Sequence, residues 1–235
     1  MNNNTYLPRV CDAELQQALA TLGAVLIEGT KWCGKTSTAA NVAQSTLFMQ
    51  DPDNSQSYQQ IAETKPSLLL KGENPRLIDE WQMAPVLWDA VRFEVDKRGE
   101  TGQFILTGSA VPADNVTAHT GTGRFSRILM RPMSLYESKE SSGTVSLTDI
   151  FNGNHDIESV SDLNIEQIAF AICRGGFPAS IGKPDKTALR MSVDYVESII
   201  NQDISQVDGV EKNPNRVRLL LRSLARNIAT QASVQ

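Results

Sequence analysis

Gly29-Thr30-Lys31-Trp32-Cys33-Gly34-Lys35-Thr36 is the stretch on which the reading of this 235-residue chain turns. It follows the apolar run Ala24-Val25-Leu26-Ile27 and precedes a segment with a helical pattern from Lys35 to about Gln44. Strand, loop and helix in that order are the setting in which such a pattern works as a phosphate-binding loop rather than as a structural Gly-rich turn. Its two glycines let the backbone wrap an anion with N–H groups pointing inward. The helix start adds unpaired N–H groups and the positive end of its dipole. Gly29, Thr30, Lys31, Trp32, Cys33, Gly34, Lys35, Thr36 and Ser37 are therefore the predicted phosphate-binding residues. Within them Lys35 would reach the β- and γ-phosphates and the Thr36 hydroxyl would ligate Mg2+.

The rest of the chain suits that reading. An apolar share of 40% and a charged share of 21% describe a globular protein, not a disordered one. Twenty-two basic against 27 acidic side chains, a net charge of -5, give no general electrostatic case for nucleic-acid binding. The polar start Met1-Asn2-Asn3-Asn4 has no basic segment leading into an apolar run, and no stretch approaches a membrane span. Cys11, Cys33 and Cys173 are odd in number and widely spaced, which predicts reduced thiols in a cytoplasmic protein. Cys173 is expected as a packing residue and not a nucleophile.

Around the loop, short apolar runs alternate with helical patterns. A helix capped by Asp12 carries Leu15, Leu19 and Leu22 on one side and ends at Gly23. Further strands are expected at 46–49, 76–79, 103–106 and 127–130, with helices at about 55–63 and 86–98 between them. This rhythm predicts an α/β fold with a mostly parallel sheet covered on both faces. Residues 1–140 form the expected nucleotide domain, and the Ser-, Gly-, Asn- and Asp-rich stretch 141–160 a linker or insertion. From 161 to 235 the pattern is helical, with helices at 164–174, 187–202 and from Pro214 onward. The last places Val217, Leu220, Leu221, Leu224 and Ile228 on one side and Arg218, Arg222 and Arg226 at four-residue steps.

The chemistry centres on strand ends. Asp79 and Glu80 close the third strand at the edge where parallel sheets bind ligands. Asp79 would hold Mg2+ through a water, and Glu80 would polarise a water in line with the γ-phosphate. Leu106-Thr107-Gly108-Ser109 ends the next strand with hydroxyls; Ser109 is favoured narrowly over Thr107 as the group that positions that water. Arg124, in the Gly-rich Gly121-Thr122-Gly123-Arg124 loop, is the candidate arginine finger, with Arg127 close behind. His119 and His155 lack the neighbours of a zinc site.

Taken together these residues resemble the bacterial and archaeal AAA-type P-loop ATPases fused to a C-terminal domain called DUF4143. The likeness is carried by Tyr6-Leu7-Pro8-Arg9, the loop itself, Arg76-Leu77-Ile78-Asp79-Glu80-Trp81-Gln82, Leu106-Thr107-Gly108-Ser109, Gly123-Arg124 and Arg131-Pro132-Met133-Ser134-Leu135. Arg174-Gly175-Gly176-Phe177-Pro178 and Tyr195 to Asp203 look like the opening of the C-terminal domain. Such a resemblance implies a five-stranded sheet of order 5-1-4-3-2 followed by a smaller helical region, with ATP and Mg2+ at the strand ends. It implies Lys35, Glu80 and Arg124 as catalytic residues beside a polar sensor, for which Ser109 is the candidate preferred above, and Thr36 with Asp79 as metal residues. Members are longer, so a shortened C-terminal domain is expected. Slow ATP hydrolysis is the leading function, with a nucleotide-switched module for DNA or protein as the alternative and a small-molecule kinase as a third class. No Asn-Lys-x-Asp guanine signature occurs, which favours adenine, and Tyr6 to Arg9 are expected at the base pocket. A homo-oligomer or a protein partner, and no membrane, complete the expectation.

Overall fold

The computed structural model describes residues 6–108, 121–154, 156–206, 209–228 and 230. Helix α1 (Cys11–Thr21) leads into β1 (Ala24–Gly29), then α2 (Lys35–Val42), β2 (Ser45–Phe48), α3 (Ser55–Thr64), β3 (Arg76–Asp79), α4 (Val86–Arg98), β4 (Phe104–Thr107) and β5 (Phe125–Met130). All pairings are parallel, in the order β2-β3-β4-β1-β5. This is the expected order 5-1-4-3-2 read from the other edge, with helices on both faces.

Strand geometry alternates side chains between the two faces, and both are covered. Ala24 and Leu26 of β1, Ile78 of β3 and Phe104 and Leu106 of β4 pack with α3 and α4 through Ala62, Leu87, Trp88 and Val91. Val25, Ile27, Leu77 and Ile105 point the other way, onto Leu15 and Leu19 of α1 and Ala39 of α2. Each fully buried aliphatic side chain here contributes about 1.5–3 kcal/mol of apolar transfer. Trp88 stacks on Phe125 at 4.0 Å and so ties α4 to the edge strand β5.

Asp12 lies one residue inside α1 instead of capping it. Its carboxylate accepts hydrogen bonds from the Arg9 N–H at 2.8 Å and the Tyr6 hydroxyl at 2.6 Å, fixing the chain that enters the helix. Gly99 ends α4 in the left-handed region at φ 69°, where a glycine carries no Cβ penalty.

After the sheet come α5 (Leu147–Phe151), inside the expected linker, then α6 (Ile165–Arg174), α7 (Asp185–Ser198), a π-helical stretch (Ile199–Asp203), α8 (Ile204–Gln206) and α9 (Pro214–Arg226). A capping box between Asn164 and Gln167 starts α6. Arg174, at its end, forms a bidentate ion pair with Glu140 at 2.7 Å, joining α6 to the segment that leaves the sheet. Cys173 is exposed, not packed, and with Cys11 and Cys33 it is a free thiol. Ile165, Ile168 and Ile172 of α6 are exposed as well, so the helix carries the side chain of Cys173 away from any core. No helix among the described residues is long and apolar enough to cross a membrane.

Candidate functional site

The parallel pairing puts the ends of β1, β3 and β4 at one edge, and the candidate residues converge there. Register aligns Ile27 with Thr107 and Asp79 with Thr107, so Asp79 and the loop after β1 lie two strands apart. Gly34 precedes α2 with φ 103°, a backbone state that turns the loop into the helix and that other residues rarely adopt. Lys35 is buried, and its ammonium donates to the carbonyls of Gly29 and Thr30, both at 2.9 Å. Ser37 and Thr30 are exposed at the mouth of the loop. Trp32 takes φ 66° and exposes its ring, whereas Cys33 turns its thiol into the core face of α2.

Asp79 is 1% exposed. Its Oδ1 accepts hydrogen bonds from Thr36 Oγ1 at 2.7 Å and Thr107 Oγ1 at 2.6 Å. Its Oδ2 is buried without a hydrogen-bond partner among the described residues. A buried carboxylate oxygen left without a donor is costly unless a cation or an ordered water meets it. The donor set is therefore oxygen only, one carboxylate and one hydroxyl. That fits Mg2+, which keeps several waters and takes further oxygens from phosphates, better than it fits a metal caged by protein. Among the described residues no cluster of three or more His, Cys, Asp or Glu could hold a metal by itself.

Glu80 follows directly, at φ 56° and ψ 45° in the left-handed region. That conformation is costly for a side chain with a Cβ and swings the Glu80 carboxylate out of strand direction. The Gln82 side-chain amide donates to Glu80 Oε2 and holds it. Gln82 also lies beside Gly108: a Cβ there would stand 2.5 Å from Gln82 Oε1, the far end of a side chain that can turn aside. Of the two hydroxyls considered after β4, that of Thr107 is engaged with Asp79. Ser109, like His119 and His155, lies outside the described residues.

The other candidates are dispersed. Arg124 precedes β5, and its backbone carbonyl accepts from the Ala24 N–H at the start of β1. The register Ala24↔Phe125 to Gly29↔Met130 therefore separates Arg124 from the phosphate loop of its own chain by the length of the sheet, about 17 Å at 3.3 Å per residue. There its guanidinium pairs with Asp96 at 2.8 and 3.2 Å. Arg127 bonds Glu28 at 2.9 Å and lies over the Trp88 ring.

Arg9 is the site residue whose role the sequence hid. It is buried, and its guanidinium donates to the Cys33 carbonyl of the phosphate loop, to the Arg131 carbonyl beyond β5, and to Glu137. Burial raises the Glu137 carboxyl, but N–H bonds from Ser134 and Val10 and the Arg9 guanidinium outweigh it, leaving Glu137 below the usual carboxylate range. The Tyr6–Arg9 segment thus braces the loop from behind. The sequence marked this segment as part of the family resemblance and as a base-pocket candidate, and gave no sign of the brace.

The C-terminal region reaches the same loop. Asp203 pairs with Lys31 at 2.6 Å, and the Tyr195 hydroxyl donates to the Lys31 carbonyl at 3.4 Å. Burial, then the Asp203 charge, pushes the Tyr195 phenol up. The Tyr195 ring lies 5.9 Å from Trp32 and 4.4 Å from Phe177.

A family model described as an AAA domain matches residues 22–139. A second, a domain of unknown function named DUF8612, matches residues 165–235. The C-terminal region is therefore not DUF4143, as the resemblance implied. Gly175-Gly176-Phe177-Pro178 is a short turn that brings the chain back onto the segment following β5, with the Met133 N–H donating to the Gly176 carbonyl at 2.6 Å. A turn of that kind reports local geometry and not ancestry. No curated protein matches the chain. Among solved structures, the Walker-type ATPase PABY2304 of Pyrococcus abyssi is similar at 14% identity and TM-score 0.47, covering 96% of this chain and 91% of that one. PH0952 of Pyrococcus horikoshii, a signal transduction ATPase with numerous domains and a tetratricopeptide repeat sensor, is similar at 14% identity and TM-score 0.42, over 88% of this chain and 36% of that one. C. elegans PCH-2 follows at 15% identity and TM-score 0.35, over 88% and 61%.

Proposed function

Since the chain belongs to the AAA domain family, we propose that it binds Mg-ATP at Gly29 to Ser37 and hydrolyses it slowly to ADP and phosphate. The observation that carries this is Asp79, buried at the strand edge beside the loop, with one oxygen held by Thr36 and Thr107 and the other without a donor. Loop N–H groups and Lys35, released from the Gly29 and Thr30 carbonyls, bind the β- and γ-phosphates. Thr36 and Asp79 would hold Mg2+, which when bound draws charge from the phosphate oxygens. Glu80, kept in place by Gln82, polarises the attacking water and takes its proton. Ser109 keeps its proposed place in orienting that water, and Thr107 keeps Asp79 aimed. Arg124 acts on a neighbouring copy, since the length of the sheet separates it from its own loop; its bond to Asp96 would have to open.

Mg-ATP titration tests binding, and phosphate release without any added acceptor tests turnover against a kinase role. Lys35→Ala is expected to weaken binding at least about a hundredfold, and Glu80→Gln to keep binding while losing turnover by about 10²–10³. Equal affinity of the wild type and Lys35→Ala ends the assignment. Specific activity should rise with protein concentration and fall in Arg124→Ala at unchanged ATP affinity; a rate flat in both respects rejects the finger. A tenfold preference for GTP in competition would reverse the choice of adenine.

A second reading, a nucleotide-governed switch for a protein partner, is favoured by the contact of Asp203 and Tyr195 with the loop. DNA is less well supported, because Arg218 of the α9 arginine row is tied to Glu197 at 2.8 Å.

A further inference from the structure

Two residues of the phosphate loop, Lys31 and Trp32, meet the C-terminal helical region and not the sheet. Lys31 is the contact that bears on ligand binding. Its ammonium pairs with Asp203 Oδ1 while its carbonyl accepts from the Tyr195 hydroxyl. The pair is half open to solvent, with side-chain exposures of 49% and 26%, so it adds little to stability. For a loop that binds an anion, a carboxylate at this place has the wrong sign: it takes up one of the loop's two lysine charges.

The backbone that brings Asp203 there is irregular. Asp203 ends the π-helical stretch Ile199–Asp203, a rare geometry that is frequent at functional sites. Ile200, 2% exposed, anchors that stretch, and Phe177 and Tyr195 fill the space up to Trp32. Asp203 is thereby held against the loop by packed groups and does not merely hang in solvent.

Resting on the reading that the loop binds ATP, we propose that Asp203 is an affinity-setting residue of the nucleotide site. It ties Lys31, and its charge opposes the triphosphate. Nucleotide and the C-terminal helical region thus hold competing claims on one loop. By linkage, whatever Asp203 takes from ATP affinity, bound ATP takes from the Lys31–Asp203 contact. Across roughly 10 Å of partly aqueous surface, one charge acting on a triphosphate changes affinity by about three- to tenfold at low ionic strength, and salt screens the effect.

The test is calorimetric titration of Mg-ATP into the full chain, its Asp203→Asn variant and its Asp203→Glu variant, at about 20 mM and about 500 mM salt. Asp203→Asn should bind about three- to tenfold tighter at low salt, Asp203→Glu within about twofold of wild type, and the gap should close at high salt. Asp203→Asn binding no tighter than wild type, or a gap that salt leaves untouched, overturns the proposal. Should Asp203→Asn fail to fold, hydrogen exchange of the wild type decides: amides 199–206 exchange faster with saturating Mg-ATP, and unchanged or slower exchange overturns it. Wild type that binds no Mg-ATP fails the functional reading and removes this inference with it. Wild type that binds, with an indifferent Asp203→Asn, leaves that reading standing and overturns the inference alone.

Discussion

β1 and α9 are both built around runs of apolar residues, and the chain treats them in opposite ways. Ala24 to Ile27 are buried on both faces of the sheet, by α1 and α2 on one side and α3 and α4 on the other. In α9 only Val217 is buried and Leu221 half-buried, whereas Leu220 and Leu224 of the same stripe are more than half exposed and Ile228 lies past the end of the helix. The difference is one of partners. A parallel strand acquires neighbours through backbone hydrogen bonds and helical layers through its crossovers. An amphipathic helix only declares that one side is apolar and leaves open which surface covers it. Periodicity therefore predicted α9 and its stripe from Val217 to Leu224 but carried both past Arg226, where the helix ends, and it said nothing of burial.

The sharpest way to break this comparison is Arg9→Ala. It would strip Glu137, whose side chain is 8% exposed, of the Arg9 guanidinium, leaving it to the Val10 and Ser134 donors, and would release the Cys33 and Arg131 carbonyls. A loss of about 3–5 kcal/mol by denaturant unfolding is expected; a loss below about 1 kcal/mol would mean the sheet half does not depend on that brace. Leu106→Ala, at a position 0% exposed in the central strand β4, should cost about 2–5 kcal/mol.

The acid limb comes next. Glu137 and Glu140 both titrate below their ordinary value when folded, Glu140 chiefly through Arg174. A depressed folded pKa gives stability that is complete above the unfolded value, near about 4.3, and lost as pH falls through the folded one. Stability should therefore fall below about pH 4.5, and Glu140→Gln should flatten that fall without steepening it. A melting series from pH 3 to 7 on both proteins reads this directly. Smallest of all, Leu220→Ala and Leu224→Ala in α9 should move stability by no more than about 0.5 kcal/mol. A loss comparable to that of Leu106→Ala would place the α9 stripe inside a core and dissolve the contrast.

The sheet was legible because its signals are local. Arg76–Asp79 and Val86–Arg98 lie where their patterns put them, and the other strands differ from expectation by one or two residues at an end. α5 was missed because five residues carry too little periodicity to stand out from a polar stretch. At the candidate site, the loop and the carboxylate after β3 could be read from spacing alone. Thr107 and Ser109 could not be told apart as water-positioning groups, since both hydroxyls stand at the end of the same strand; the register Asp79↔Thr107 sets Thr107 against Asp79, and Ser109 lies outside the described residues.

What the sequence determined by itself is the chemistry along short stretches: strand, Gly-rich loop and helix from 24 to 42, and an acid at the end of a strand. These depend on neighbouring residues, whose steric and hydrogen-bonding preferences are written next to one another. Tertiary structure alone decided that Arg9 braces the loop, that Arg124 lies a sheet's length from it, and that Asp203 binds Lys31 across 172 positions of chain. Such contacts join residues with no common period. They exist only once the burial of both sheet faces has fixed the ends of the strands and, with them, everything that meets there.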